Sequence, residues 1–266
     1  MNRRTVAAVA LALAVVLAGC GGSGQQDPGT ESTPGDTPTA TATPTPQPFQ
    51  SMPPGVSEQG VTDREALLDA HASALDGTSV TVDVDFRLTV DGDGQNVALR
   101  GKVTPDDDRG WMQVETDDGV GTYYTESGTT YRTVTIDGET SHGTTDQVSA
   151  IPDSPRFGAD SRARDALWNA NWTFDGIVQR DGEHLLRYEA TNVTLPSEVD
   201  VDRESAGATT SGTLLVDENG VIRHVEVSAT VETDQRTVEY GVTVSFSAVG
   251  STTIEAPDWL DQAKDG

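Results

Sequence analysis

Val80-Thr81-Val82-Asp83-Val84-Asp85-Phe86-Arg87-Leu88-Thr89-Val90 alternates without a break. Val80, Val82, Val84, Phe86, Leu88 and Val90 are apolar, and each residue between them is polar. Successive side chains of a strand point to opposite faces, so this stretch predicts a long strand with one buried and one wet face. The same alternation returns near the C-terminus, where Val238, Tyr240, Val242, Val244 and Phe246 are separated by Glu239, Thr243 and Ser245. Between these two stretches, shorter apolar runs are punctuated by Asp91-Gly92, Asp118-Gly119, Ser127-Gly128, Asp137-Gly138 and Asn219-Gly220. Such pairs tolerate the positive φ of tight hairpins. The reading gives about ten strands with no strand–helix–strand spacing, hence an antiparallel meander.

Two helices are expected. Thr62-Asp63-Arg64-Glu65 reads as a capping box before the apolar stripe Leu67, Leu68, His71, Ala74 and Leu75. A second helix is expected over 161–172, with Ala163, Ala166, Leu167 and Ala170 on one side. Two helices are too few to cover so many long strands. The sheet must curl around them or leave a cleft for an apolar guest. The fold class is therefore α+β, mainly β: a curved antiparallel half-barrel with two helices on its concave side. Candidate lining residues of the cleft are Val82, Val84, Phe86, Leu88, Trp111, Tyr124, Trp168, Val242, Val244 and Phe246.

Charge narrows the function. The 266 residues carry 43 acidic against 17 basic side chains, a formal charge of -26. Nucleic-acid binding rests on Lys and Arg against phosphate, so that class is excluded. Lys102 and Lys264 are the only lysines; the other basic residues are arginines. An acid-rich, lysine-poor surface suits very salty water, where screening suppresses carboxylate repulsion. One cysteine allows no internal disulfide and no cysteine-rich zinc site.

The N-terminus is an address. Arg3 and Arg4 precede an apolar run that ends in Leu17-Ala18-Gly19-Cys20, the layout of an export signal. This break resembles a bacterial or archaeal lipobox, which implies lipidation of Cys20 after removal of residues 1–19 and anchoring on the outer face of the membrane. The paired arginines are compatible with the twin-arginine route. Residues 20–60 are rich in Pro, Thr, Gly and Ser and read as a disordered stalk, leaving 61–266 as the domain.

The order of helix, opening strand, helical insertion and second strand set is similar to the LolA/LprG-type lipoprotein carriers. The late Asp217-Glu218-Asn219-Gly220 hairpin and the closing Ile254-Glu255-Ala256-Pro257 also fit. Lipobox, stalk and acidic domain together resemble haloarchaeal cell-surface lipoproteins. The resemblance implies a lipid or acyl chain held by the concave sheet, with no catalysis and no cofactor. The alternative is an envelope interaction module whose sheet closes over its own side chains.

Other chemistry is thinly supported. Nucleophile-elbow, His-Glu-x-x-His and phosphate-loop motifs are missing from the sequence, and His71, His142, His184 and His224 are scattered. Asp91-Gly92-Asp93 opens like a calcium loop, but Asn96 stands where the turning glycine belongs and Lys102 where the closing Glu belongs. A hairpin turn is the expected role, and no metal site is expected. Asn171-Trp172-Thr173 and Asn192-Val193-Thr194 are candidate glycosylation sequons, with Asn192 the better placed.

Overall fold

The computed structural model describes residues 49, 51–105, 109–145, 159–190, 192–194, 207–234 and 236–265. Cys20 with its signal segment, most of the stalk, the turn at 106–108 and the loop with Pro152 and Pro155 lie outside the described residues.

Packed chain begins earlier than composition implies. Phe49 packs against the core, Val56 is 6% exposed, and the short strands β1 (Val56–Ser57) and β2 (Gly60–Val61) pair. The expected boundary at 60/61 therefore falls inside the folded body. Helix α1 (Arg64–Leu75) is capped by Asp63, whose side chain accepts from the Ala66 N–H at 3.0 Å. Thr62 instead donates its own N–H to the Gly55 carbonyl.

Six strands follow: β3 (Val80–Val90), β4 (Asp93–Val103), β5 (Arg109–Thr116), β6 (Gly119–Glu126), β7 (Thr129–Ile136) and β8 (Glu139–Thr145). Helix α2 (Ala159–Trp168) leads to β9 (Thr173–Arg180), β10 (Glu183–Ala190), β11 (Gly207–Val216), β12 (Ile222–Glu232) and β13 (Thr237–Ser247), and α3 (Leu260–Asp265) closes the chain. Among the described residues, β3 to β13 make one 11-stranded antiparallel sheet in the order β8-β7-β6-β5-β4-β3-β13-β12-β11-β10-β9. The sheet is curved and unclosed, a mainly β half-barrel, with β8 and β9 as its free edges.

The two long alternating stretches meet at the centre, with Val242 opposite Phe86, Val244 opposite Val84 and Phe246 opposite Val82. Directly paired residues share a face, so the parity of β3 propagates across the sheet. The face carrying Val82 and Phe246 is here called inner. Helices α1 and α2 pack on it, and Leu67, Leu75, Ala163 and Leu167 join Val82, Val244 and Phe246 in one core.

His71 ties these layers together. It is 1% exposed, its Nδ1 accepts from the Ile222 N–H at 3.2 Å, and its ring meets Phe246 edge-on at 4.6 Å. Its Nε2 faces Asp160 of α2 at 3.6 Å. Arg64 performs a similar task at the other end of α2. Its guanidinium donates to the Leu167 carbonyl at 2.9 Å and the Ala170 carbonyl at 2.8 Å, covering carbonyls that the helix end leaves open.

Three features differ from the sequence expectation. Helix α2 stops before Trp172, which instead turns inward and donates its indole N–H to the Leu167 carbonyl at 3.3 Å. Strand β8 was not foreseen, because Glu139-Thr140-Ser141-His142-Gly143-Thr144-Thr145 has no apolar alternation. An edge strand needs none, since it takes its stability from one neighbour's hydrogen bonds and blunts the edge with polar groups. The third difference is α3, which packs on the outer face against β7 and β8. At Asp91-Gly92 the φ angles are 56° and 87°, as a type I′ hairpin requires, and the Asp91 carboxylate accepts from the Thr237 N–H at 2.8 Å. That carboxylate is a turn acceptor, in keeping with the hairpin expectation.

Candidate functional site: the open half of the inner face

The inner face divides into two halves. Over β3 and β10 to β13 it is covered by α1 and α2. Val82, Val242, Val244 and Phe246 are no more than 3% exposed there, and Val84 is 8% exposed. These five expected lining residues are core, packed against the protein's own helices. Among the described residues, α1 and α2 pack mainly on β3, β12 and β13; on β4 and β5 only Val103 and Met112 of the inner face are buried in the same core. Over β4 to β7, pairing places Val97 and Leu99 of β4, Val114 of β5, Tyr123 of β6, and Val134 and Ile136 of β7 on the inner face. All but Ile136 are half-buried, and Ile136 is 51% exposed. Phe86 and Leu88, also half-buried, border this strip on β3. The strip holds two of the expected residues, Phe86 and Leu88, and six that sequence reading missed.

Two glycines hollow its floor. Gly119 and Gly121 stand on the inner side of β6, and Gly121 lies opposite Val114 and Val134. A Cβ at Gly121 would come within 3.2 Å of the Tyr123 ring, so Tyr123 lies over the bare backbone of its own strand.

Trp111 and Tyr124 require a correction. They pair with each other, and Trp111 pairs with Lys102 opposite Thr81, which puts all four on the outer face. Tyr124, Ile254 and Leu260 form a second core there, with Trp111, Tyr131 and Trp259 packed around it. Lys102 lies 5.6 Å from the Trp111 ring centroid and Lys264 lies 5.5 Å from that of Tyr131. The two aromatics were grouped with the cleft because apolar character was read as a single face, whereas this wing is apolar on both. Trp168 is also misplaced by sequence: it is 42% exposed at the end of α2, under the Arg164 guanidinium at 5.5 Å.

Both sequon asparagines are exposed, and the Asn171 side-chain oxygen accepts from Arg64 at 3.3 Å. The described residues, His71, His142, His184 and His224 among them, contain no group of three metal-ligating side chains. One catalytic-looking arrangement exists on the outer face: His224 Nδ1 lies 2.9 Å from Ser245 Oγ, and its Nε2 lies 3.6 Å from Glu226. Burial and the nearby Arg180 hold the His224 pKa below its ordinary value. Ser245 sits in β13 between β3 and β12, so the backbone N–H groups around it belong to the sheet ladder. No free pair of donors is left to receive an oxyanion. The arrangement is a cross-strand hydrogen bond. Among the described residues, a cavity of about 350 Å³ is lined by Asp85, Arg87, Glu115 and Thr243 together with Phe86 and Val97 of the strip, and one of about 240 Å³ lies among Arg180, Glu183 and Arg223.

Residues 5–263 match a family described as of unknown function, DUF7537. The chain belongs to DUF7537. The comparison with curated proteins found no match. Among solved structures, this DUF7537 chain is similar to LprF from Mycobacterium bovis, at 14% identity and TM-score 0.39 over 75% of this chain and 98% of that one. It is also similar to the Mycobacterium tuberculosis lipoprotein LppX, at 17% identity and TM-score 0.33 over 71% and 98%. Among the described residues, no helix of the DUF7537 chain is long and apolar enough to cross a membrane.

Tyr188 on β10 carries a testable consequence. It is fully buried beside Phe174, its hydroxyl meets no hydrogen-bond partner, and burial pushes its pKa up to about 12. A phenol with a raised folded-state pKa stabilises the fold below the unfolded value near 10. That stability is lost as pH rises towards the folded value. Tyr188→Phe is expected to raise stability at neutral pH by about 1 kcal/mol, because an unpaired buried hydroxyl disappears. The gap between variant and native protein should widen from pH 10 upward in chemical melts. Destabilisation by this substitution would show that the hydroxyl is in fact satisfied.

Proposed function

We propose that this chain is a lipid-anchored extracytoplasmic protein of a salt-rich habitat that binds an acyl chain on the open half of its inner face, without catalysis. The observation that carries the reading is the half-buried apolar strip over β4 to β7, next to a helix-filled half that already has its cover. From β3 to β7 the strip crosses four strand spacings, about 19 Å, comparable to an extended acyl chain of an ordinary membrane lipid. Cys20, following Leu17-Ala18-Gly19, supplies the anchor, and Arg3-Arg4 suits the twin-arginine route. Such an anchor fits local loading or presentation of a lipid better than shuttling between membranes. Asn192 is the better glycan acceptor, because the side chain of Asn171 is engaged by Arg64.

Native mass spectrometry of the full chain, gently extracted in molar salt, should show bound lipid. Val114→Asp places a carboxylate in the middle of the strip and should abolish the adduct. Its melting should stay within about 1 kcal/mol of the native chain, because Val114 is only half-buried. A lipid-free native chain, or an adduct that survives in Val114→Asp, would favour the envelope interaction module instead.

A further inference from the structure

Charged side chains of either sign are sparse on the inner side of β3 to β8. On the outer side of β3 to β6, Asp83, Asp85, Glu115 and Glu126 are interleaved with Arg87, Arg100, Lys102 and Arg109. On the inner side of β3 to β8, pairing places only two carboxylates, Asp93 and Glu139, both at hairpin tips at the same end of the sheet. The one basic residue among these inner strand positions is Arg132 of β7, opposite Tyr123 and next to Val134. It lies four residues along β7 from Ile136, the partner of Glu139, which is about 13 Å of strand.

Every other described basic side chain is engaged. Arg87, Arg100, Arg109, Arg180, Arg187 and Arg223 pair with carboxylates. Arg64 holds carbonyls, and Arg162, Arg164, Lys102 and Lys264 lie over aromatic rings. Arg236 also has a partner. Arg132 alone among the described basic residues makes no ion pair, hydrogen bond or ring contact. Arg132 is exposed, and the inner carboxylates Asp93 and Glu139 stand at the far end of the strands from it. Its place is the edge of an apolar strip. An apolar strip ending at an unpaired cation matches an amphiphile with an anionic head.

We propose that Arg132 is the head-group contact of the ligand, and that the ligand is an acyl amphiphile with a carboxylate or phosphate head. The planar guanidinium accepts either anion through two parallel N–H bonds. The tail then runs from Val134 across Val114 and Leu99 towards Phe86. This inference rests on the acyl-binding reading above, and the experiment separates the two.

The full chain in molar KCl is titrated with pyrene-labelled hexadecanoic acid and, separately, with the matching pyrene-labelled hexadecanol. The acid is expected to bind roughly tenfold tighter than the alcohol, the scale of one charge-assisted contact. Arg132→Gln should remove that preference, leaving alcohol affinity and melting unchanged. Excess acetate should displace neither probe. Equal binding of acid and alcohol by the native chain, or a preference that persists in Arg132→Gln, overturns the assignment of Arg132 while leaving acyl binding in place. Displacement of the acid by acetate marks a free-anion site and overturns the amphiphile. Binding of neither probe removes the acyl reading itself.

Discussion

Dialysis from molar salt into dilute buffer should unfold this protein, with cooperative loss of its β-sheet signal. The formal charge of -26 is spread over a surface where most of the described ion pairs, such as Arg87–Glu239 and Arg100–Asp83, are exposed. Such pairs contribute roughly 0–1 kcal/mol each and do not offset the repulsion. Asp83 shows the local balance: burial raises its pKa, Arg100 pulls it back, and neighbouring Asp85 raises it again. At 1 M salt the screening length is about 3 Å, shorter than most carboxylate separations, whereas at 0.01 M it is about 30 Å and the whole surface repels itself. Circular dichroism followed against KCl concentration checks this. The same argument predicts that acidification to about pH 4 in dilute buffer restores part of the signal, because carboxylates then lose charge. A chain equally stable at both salt extremes would remove the salty-habitat reading and leave the acidity without an account.

Truncation after Ala256 is expected to lower stability by about 4 kcal/mol, on the scale of losing several buried side chains. The segment removed contains Leu260 and Ala263, buried at 6% and 1%, and Trp259, which packs beside Tyr124. Without it, Tyr124 and Tyr131 on the outer face of β6 and β7 are uncovered, beside the edge strand β8. Leu260→Ala alone should cost about 2–3 kcal/mol. Both are read from denaturant melts in molar salt. Acyl binding by Leu260→Ala should be unchanged, because α3 lies on the opposite face from the strip. Native-like stability of the truncated chain would show that the outer core holds without its helix.

Much of the architecture was legible because alternation is a local signal. The run from Val80 to Val90 displays its buried face in its own order of residues, and each Asp-Gly or Asn-Gly pair marks a hairpin. Strand β8 escaped because an edge strand needs no apolar face. Helix α3 escaped because six residues are too few for a helical period to register. The site was legible only in part. Phe86 and Leu88 share the parity of the strongest strand. Val114, Tyr123 and Val134 lie in strands broken by Thr116, Gly119 and Gly121, where alternation fades.

Sequence by itself determined the acidity, the antiparallel meander and the presence of more apolar surface than two helices cover. Tertiary structure decided which half of the inner face those helices fill, that Trp111 and Tyr124 belong to the outer core, and that Arg132 stands unpaired at the open strip. The physical reason is that a strand's period tells which residues share a side. What lies against that side is set by register across several strands and by the docking of helices distant in sequence.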